Sequence, residues 1–296
     1  MSKAAKVDAK EHMVWGYAGV FPGEFRIWDG DPFTNKLTFM ADHGFQSTGL
    51  GLNAVREPSR FDQLAAFVKE HDFHHNLHFG CRYFEDSPET LQASIRTFLK
   101  GLAEIREPLG VALVTTCVGP YHRYMRNPSL AEQMKRLREV LTPLARGCHE
   151  LGVRVGIENH NDYLVTDLIE LCDQVPNLGI FWDTGNSCMT GETPLVVSRQ
   201  VVPYVVGTHF KDFTCYPDTK ELKLVVTGAS LGDGDVGLEQ IYRDLIELNP
   251  APEKLVMEFE LVPDPKLNPL ESLERSKCFV ERISGFPFIY PKNTKI

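Results

Sequence analysis

Short runs of β-branched, aromatic and aliphatic residues alternate with longer stretches of helical periodicity from Met13 to the end of the chain. The strand-like runs are Met13–Ala18, Ser47–Leu52, His75–Gly80, Ala112–Val118, Val153–Glu158, Leu178–Trp182, Tyr204–Phe210 and Lys254–Phe259. Helical patterns follow them at Lys36–His43, Ser59–His71, Pro88 towards Arg106, Ser129–Leu151, Leu164–Gln174, Pro194–Val201, Leu238–Leu248 and Pro269–Ile283. Gly44 and Gly152 stand where two of these helices should stop, and Ser87 followed by Pro88 reads as a cap and first helical position. The long connection after the seventh run carries Leu222–Thr227, which predicts a small extra strand or hairpin.

Eight strand-then-helix units in about 250 residues predict a single (β/α)8 barrel. The strand runs are nearly continuous in apolar residues, as parallel strands covered on both faces require. A doubly wound open sheet would give the same alternation. However, no G-x-G-x-x-G follows the first run, and there is no P-loop lysine motif. The expected organisation is a polar, flexible tail over residues 1–12 and one barrel domain over 13–296.

Charge and composition narrow the function classes. The 296 residues carry a formal net charge of −9, with 43% hydrophobic and 24% charged residues. An acidic balance argues against a nucleic-acid partner. No apolar run is long enough to span a bilayer, and the N-terminus lacks the apolar core of a signal peptide, so no membrane role is expected. Seven cysteines without a C-x-x-C pair suit reduced thiols and a cytoplasmic location.

Four ionisable residues stand where strands should end. Glu158 closes VRVGIE, Asp183 follows LGIFW, His209 lies in VVGTHF and Glu258 in KLVMEF. A charge at the end of an apolar run is costly unless something compensates it. In a barrel these positions lie at the C-terminal mouth of strands five to eight, where active sites of this architecture sit. Three converging carboxylates would repel one another and raise their pKa values, and a divalent cation removes that conflict. Oxygen-rich donors with one imidazole suit Mn2+ or Mg2+, with Co2+, Fe2+ and Zn2+ also compatible.

The segments GIENHN, FWDTGN, THFKD and VMEFE resemble the metal-site motifs of the xylose-isomerase-like barrel superfamily, in particular its tagatose-epimerase and inositol-catabolism branches. The resemblance implies one divalent metal held by Glu158, Asp183, His209 and Glu258. LGDGDVG is similar to a recurrent element of the same superfamily. Two departures bear on the substrate: some epimerases place a histidine where this chain has Asn186, and an arginine where it reads KDFTC. A homo-oligomer, dimer or tetramer, is a further implication of the resemblance.

The chemistry expected of such a site is proton transfer next to a carbonyl through a metal-stabilised enediolate, with Glu158 and Glu258 as acid–base groups. The product is an epimer or an aldose–ketose isomer of a small carbohydrate. Candidate substrate contacts are His160, Asn186, Lys211, Glu260, His78 and Trp15. Asn159 is a candidate for orienting a carboxylate, and Lys211 could instead pair with Asp212. The alternatives are a dehydratase of an inosose or cyclic hydroxy-ketone acid, an apurinic-site endonuclease and a non-catalytic barrel.

Overall fold

The computed structural model describes residues 13–18 and 32–291. The tail expected over residues 1–12 therefore lies outside the described residues. Eight parallel strands close into a barrel: β1 (Val14–Tyr17), β2 (Ser47–Gly51), β3 (His74–His78), β4 (Val111–Thr116), β5 (Arg154–Glu158), β6 (Leu178–Asp183), β7 (Val205–Phe210) and β10 (Val256–Phe259). The order around the barrel is β1-β10-β7-β6-β5-β4-β3-β2. The remaining two strands, β8 (Asp212–Asp218) and β9 (Lys223–Ala229), form a separate antiparallel hairpin between β7 and β10. The sequence reading anticipated β9 and missed β8, whose segment DFTCYPD has no apolar run.

Local chemistry accounts for the helix limits. Ser87 caps the helix Pro88–Ile105 by accepting from the Thr90 N–H, and the helix Leu130–Glu150 opens with a reciprocal Ser129–Glu132 capping box. Each satisfies amide groups that the first helical turn leaves without a partner. None of the described helices is long and apolar enough to cross a membrane.

Strand alternation sorts the side chains into two layers. One set points into the barrel, where Leu113, Phe181 and Val256 pack with Val14 and Val206. The alternate set faces the helices. Trp15 belongs to it, with no exposed surface and its ring packed against Phe210, Tyr242, Phe259 and Phe288. The interior register places Gly16, Glu258, His209 and Asp183 side by side in one row across β1, β10, β7 and β6. Gly16 is what lets Glu258 fit there: a Cβ at that position would lie 2.6 Å from the Ser47 carbonyl and 2.9 Å from Glu258 Cγ.

Candidate functional site

The inward residues at the ends of β5, β6, β7 and β10 come together at the barrel mouth. His209 stands at the centre. Its Nδ1 lies 2.7 Å from Glu158 Oε1, 3.1 Å from Glu260 Oε2 and 3.9 Å from Asp183 Oδ2, and its Nε2 lies 3.7 Å from Glu258 Oε2. One donor atom from each of Glu158, Asp183, His209 and Glu260 falls within 4.8 Å of the others. Glu260, expected as a substrate contact, thus joins the cluster. Glu258 stands beside it, with Oε1 accepting from Ser47 Oγ at 3.1 Å. Both glutamates face inward because they are two residues apart on an extended chain.

Asp183 is held rigidly. Its Oδ1 accepts from the Gly185 and Asn186 amides at 3.0 Å each. The Asn159 side chain grips the same residue's backbone, accepting from Asp183 N at 2.8 Å and donating to its carbonyl at 3.0 Å. Asn186 Nδ2 returns a bond to the Asn159 carbonyl at 3.0 Å. This asparagine pair fixes the β5 and β6 ends and leaves Asp183 Oδ2 aimed into the cluster.

Lys211, two residues beyond His209, places Nζ 2.6 Å from Asp183 Oδ2 and 2.8 Å from Glu260 Oε2. Pairing with Asp212 does not occur. The Asp212 carboxylate instead accepts from the amides of Phe213, Gly232, Gly234 and Val236, tying the LGDGDVG loop to the start of the hairpin.

Opposite charges crowd the site. Four buried or half-buried carboxylates face the ammonium of Lys211, that of Lys36 acting on Glu258, and the imidazoles of His209 and His160, whose Nε2 lies 3.2 Å from Glu158. Burial opposes ionisation of Glu158, but the two imidazoles outweigh it and hold its pKa at about 2. For Glu260 burial is likewise overcome by His209 and Lys211, and its pKa falls. Asp183 and Glu258 go the other way: burial dominates and pushes both up. Asp183 Oδ2 and Glu260 Oε2 are buried without a hydrogen bond of good geometry. Lys211 is the ion-pair partner of both, and two carboxylate oxygens converging beside an imidazole also fit a hard or borderline divalent cation.

The cluster forms one wall of a cavity of about 220 Å3. The opposite wall includes Gly49, Asn76, His78 and Thr115. His78 therefore does reach the cavity, with Nδ1 3.4 Å from Thr115 Oγ1. Trp15 does not, because an odd step along β1 turns it to the helices; the expectation that it contacts substrate is corrected on that ground. Asn76 was missed by sequence reading. It is 1% exposed, and neither of its amide atoms makes a hydrogen bond of good geometry. A polar residue two positions before His78 in an otherwise strand-like run was the available signal.

A family model described as xylose isomerase-like TIM barrel matches residues 37–277. The chain belongs to the xylose isomerase-like TIM barrel family. No curated protein sequence matches it significantly. Among solved structures it is similar to a xylose isomerase domain protein from Alicyclobacillus acidocaldarius, at 18% identity and a TM-score of 0.67, covering 92% of this chain and 98% of that one. A D-tagatose 3-epimerase-like protein gives 15% identity and a TM-score of 0.65, with the same coverage of 92% and 98%. The IOLI protein with a bound zinc atom gives 18% and 0.64, again covering 92% and 98%. At these identities the likeness is one of fold.

Proposed function

We propose that the protein is a divalent-metal-dependent isomerase or epimerase of a small carbohydrate. The observation that carries this reading is the convergence of Glu158, Asp183, His209 and Glu260 within 4.8 Å of one another at the barrel mouth. These four residues are our candidate ligands, and Mn2+ or Mg2+ the expected ion. A bound cation would polarise a substrate carbonyl and stabilise negative charge developing on its oxygen.

The chain's own residues supply the rest. Glu258 lines the cavity beside the donors, is raised in pKa by burial and is oriented by Ser47, so burial favours its proton-carrying form and suits it to give and take a proton. Glu158 lies across His209 from it and is kept ionised by its imidazole neighbours. Two carboxyl groups whose environments drive their pKa values apart divide the acid and base roles between them. Asn76, His78 and Thr115 offer polar groups to substrate hydroxyls. A cavity of about 220 Å3 is below the roughly 300–1,000 Å3 of pockets for drug-sized ligands, which suits a single sugar.

The test pairs metal analysis of the purified protein, before and after chelation, with deuterium uptake from D2O into a panel of ketoses. One bound divalent ion and chelator-sensitive exchange at a carbon next to the carbonyl are expected. Loss of water from the substrate, seen as a mass decrease of the product, would replace isomerisation by dehydration. Exchange that survives complete metal removal would discard the metal-dependent mechanism.

A further inference from the structure

Lys211 has a relation to the donor cluster that neither substrate binding nor a structural ion pair describes. Its backbone is fixed reciprocally by Thr184: Lys211 N donates to Thr184 Oγ1 at 2.9 Å, and that hydroxyl donates to the Lys211 carbonyl at 2.8 Å. The side chain is 7% exposed and reaches inward to Asp183 Oδ2 and Glu260 Oε2. Because Asp183 Oδ1 is already engaged by two backbone amides, Oδ2 is the oxygen that Asp183 has to offer a cation. The ammonium therefore draws on two of the four donors of the cluster formed by Glu158, Asp183, His209 and Glu260.

An ammonium and a divalent cation on the same carboxylate oxygen repel each other and compete for the same lone pairs. Two other resting places lie within the side chain's reach. Asn186 Oδ1 is 3.3 Å from Nζ. The face of Phe213 is 5.8 Å away, within the range at which an aromatic ring attracts a cation.

We propose that Lys211 is a built-in competitor of the metal ion: its ammonium neutralises Asp183 and Glu260, weakens metal binding, and moves towards Asn186 and Phe213 when an ion enters. The inference rests on reading the cluster as a metal centre. Lys211 is accordingly a positioning residue that sets how readily the site loads and unloads.

The experiment is a calorimetric titration of Mn2+ into the chelator-treated full-length protein, comparing wild type with Lys211→Met and Lys211→Arg, alongside thermal melts with and without Mn2+. Methionine keeps the apolar stem and removes the charge. The expected result is Mn2+ binding about tenfold or more tighter in Lys211→Met, within the roughly 5- to 150-fold span of coupled sites. The metal-free Lys211→Met protein should melt below metal-free wild type, because its carboxylates lose their partner, and saturating Mn2+ should close the gap. Lys211→Arg should bind as weakly as wild type. Unchanged or weaker binding by Lys211→Met would overturn the competitor role while leaving the metal centre standing. Absence of binding in all three proteins would overturn the metal centre, and this inference with it. Should Lys211→Met not fold, Lys211→Gln is read against the same outcomes.

Discussion

The barrel mouth has two unlike halves built on the same alternation of inward residues. On β5, β6, β7 and β10 the inward positions at the strand ends are Glu158, Asp183, His209 and Glu258, with His160, Lys211 and Glu260 following two residues on. On β2, β3 and β4 the corresponding positions are Gly49, Asn76, His78 and Thr115. The first half concentrates charge that the fold alone does not need, at the cost of strained ionisation equilibria. The second half is neutral and small, and leaves the cavity its space. A division of labour follows, with chemistry on the charged side and recognition on the other.

The largest effects should come from the charged half. Asp183→Asn removes the oxygen that its backbone clamp aims at the cluster, and metal affinity should fall by roughly 100-fold or more, since even residues around the ligands are worth 10- to 100-fold. Glu158→Gln should lower turnover by about 10²- to 10⁴-fold, the span of a general acid–base group. Circular dichroism should remain that of wild type in both, because the core lies in the outer aromatic layer and the barrel interior below. Metal content unchanged in Asp183→Asn would remove that residue from the coordination sphere.

A sharper division runs along β10 itself. Glu260 lies 3.1 Å from His209 Nδ1, among the donors, whereas Glu258 approaches the other ring nitrogen at 3.7 Å and lines the cavity. Glu260→Gln should therefore weaken Mn2+ binding by at least about tenfold, and Glu258→Gln should keep metal and lose turnover by about 10²-fold or more. The reverse pattern, with metal lost in Glu258→Gln alone, would restore the ligand set that the sequence motifs imply.

The neutral half should respond in stability before it responds in rate. Asn76 is a buried amide without hydrogen bonds of good geometry, a state that costs about 1–3 kcal/mol. Asn76→Leu, close in size, should stabilise the substrate-free protein by part of that amount, raising the melting temperature by about 2 °C, and should raise KM. A lower melting temperature would show that Asn76 is already satisfied in the free protein.

Most of this architecture was legible in the sequence, for identifiable reasons. Strand order came from apolar runs whose punctuation is strong, such as the Ser87–Pro88 helix start and the helix stop at Gly152. The charged half stood out because carboxylates at the ends of such runs are expensive. Trp15 misled because composition does not tell which of two alternate faces a strand residue occupies; register does. The motifs placed Glu258 among the ligands and Glu260 among the substrate contacts, a choice that depends on distances of a few tenths of an ångström around His209. The β8 strand was invisible because it is held by pairing with β9 and by the four amides that its first residue, Asp212, gathers, and neither leaves an apolar run in the sequence.

Acid titration separates the two halves by window. His75 sits on β3 next to Asn76 but points outward; it has no exposed surface, and its ring packs edge-on to Phe73 at 5.1 Å. Burial first, and then the charge of Lys36, hold its pKa down to about 3 from an ordinary 6.5. Between those values the unfolded chain binds a proton that the folded chain does not. The stability involved is therefore fully present above pH 6.5 and is lost as pH falls towards 3. Glu158, depressed to about 2 from 4.5, acts in the same direction but in a lower window. His43, also held at about 3 by burial and by Lys277, overlaps with His75 but remains in any His75 variant. Urea unfolding at pH 7 and pH 5 should thus show that wild type loses about 2 kcal/mol more than His75→Leu on acidification, from about 1.4 kcal/mol per pKa unit. Equal losses in the two proteins would mean that His75 titrates as an exposed histidine does, and that the neutral half adds nothing to acid sensitivity above pH 5.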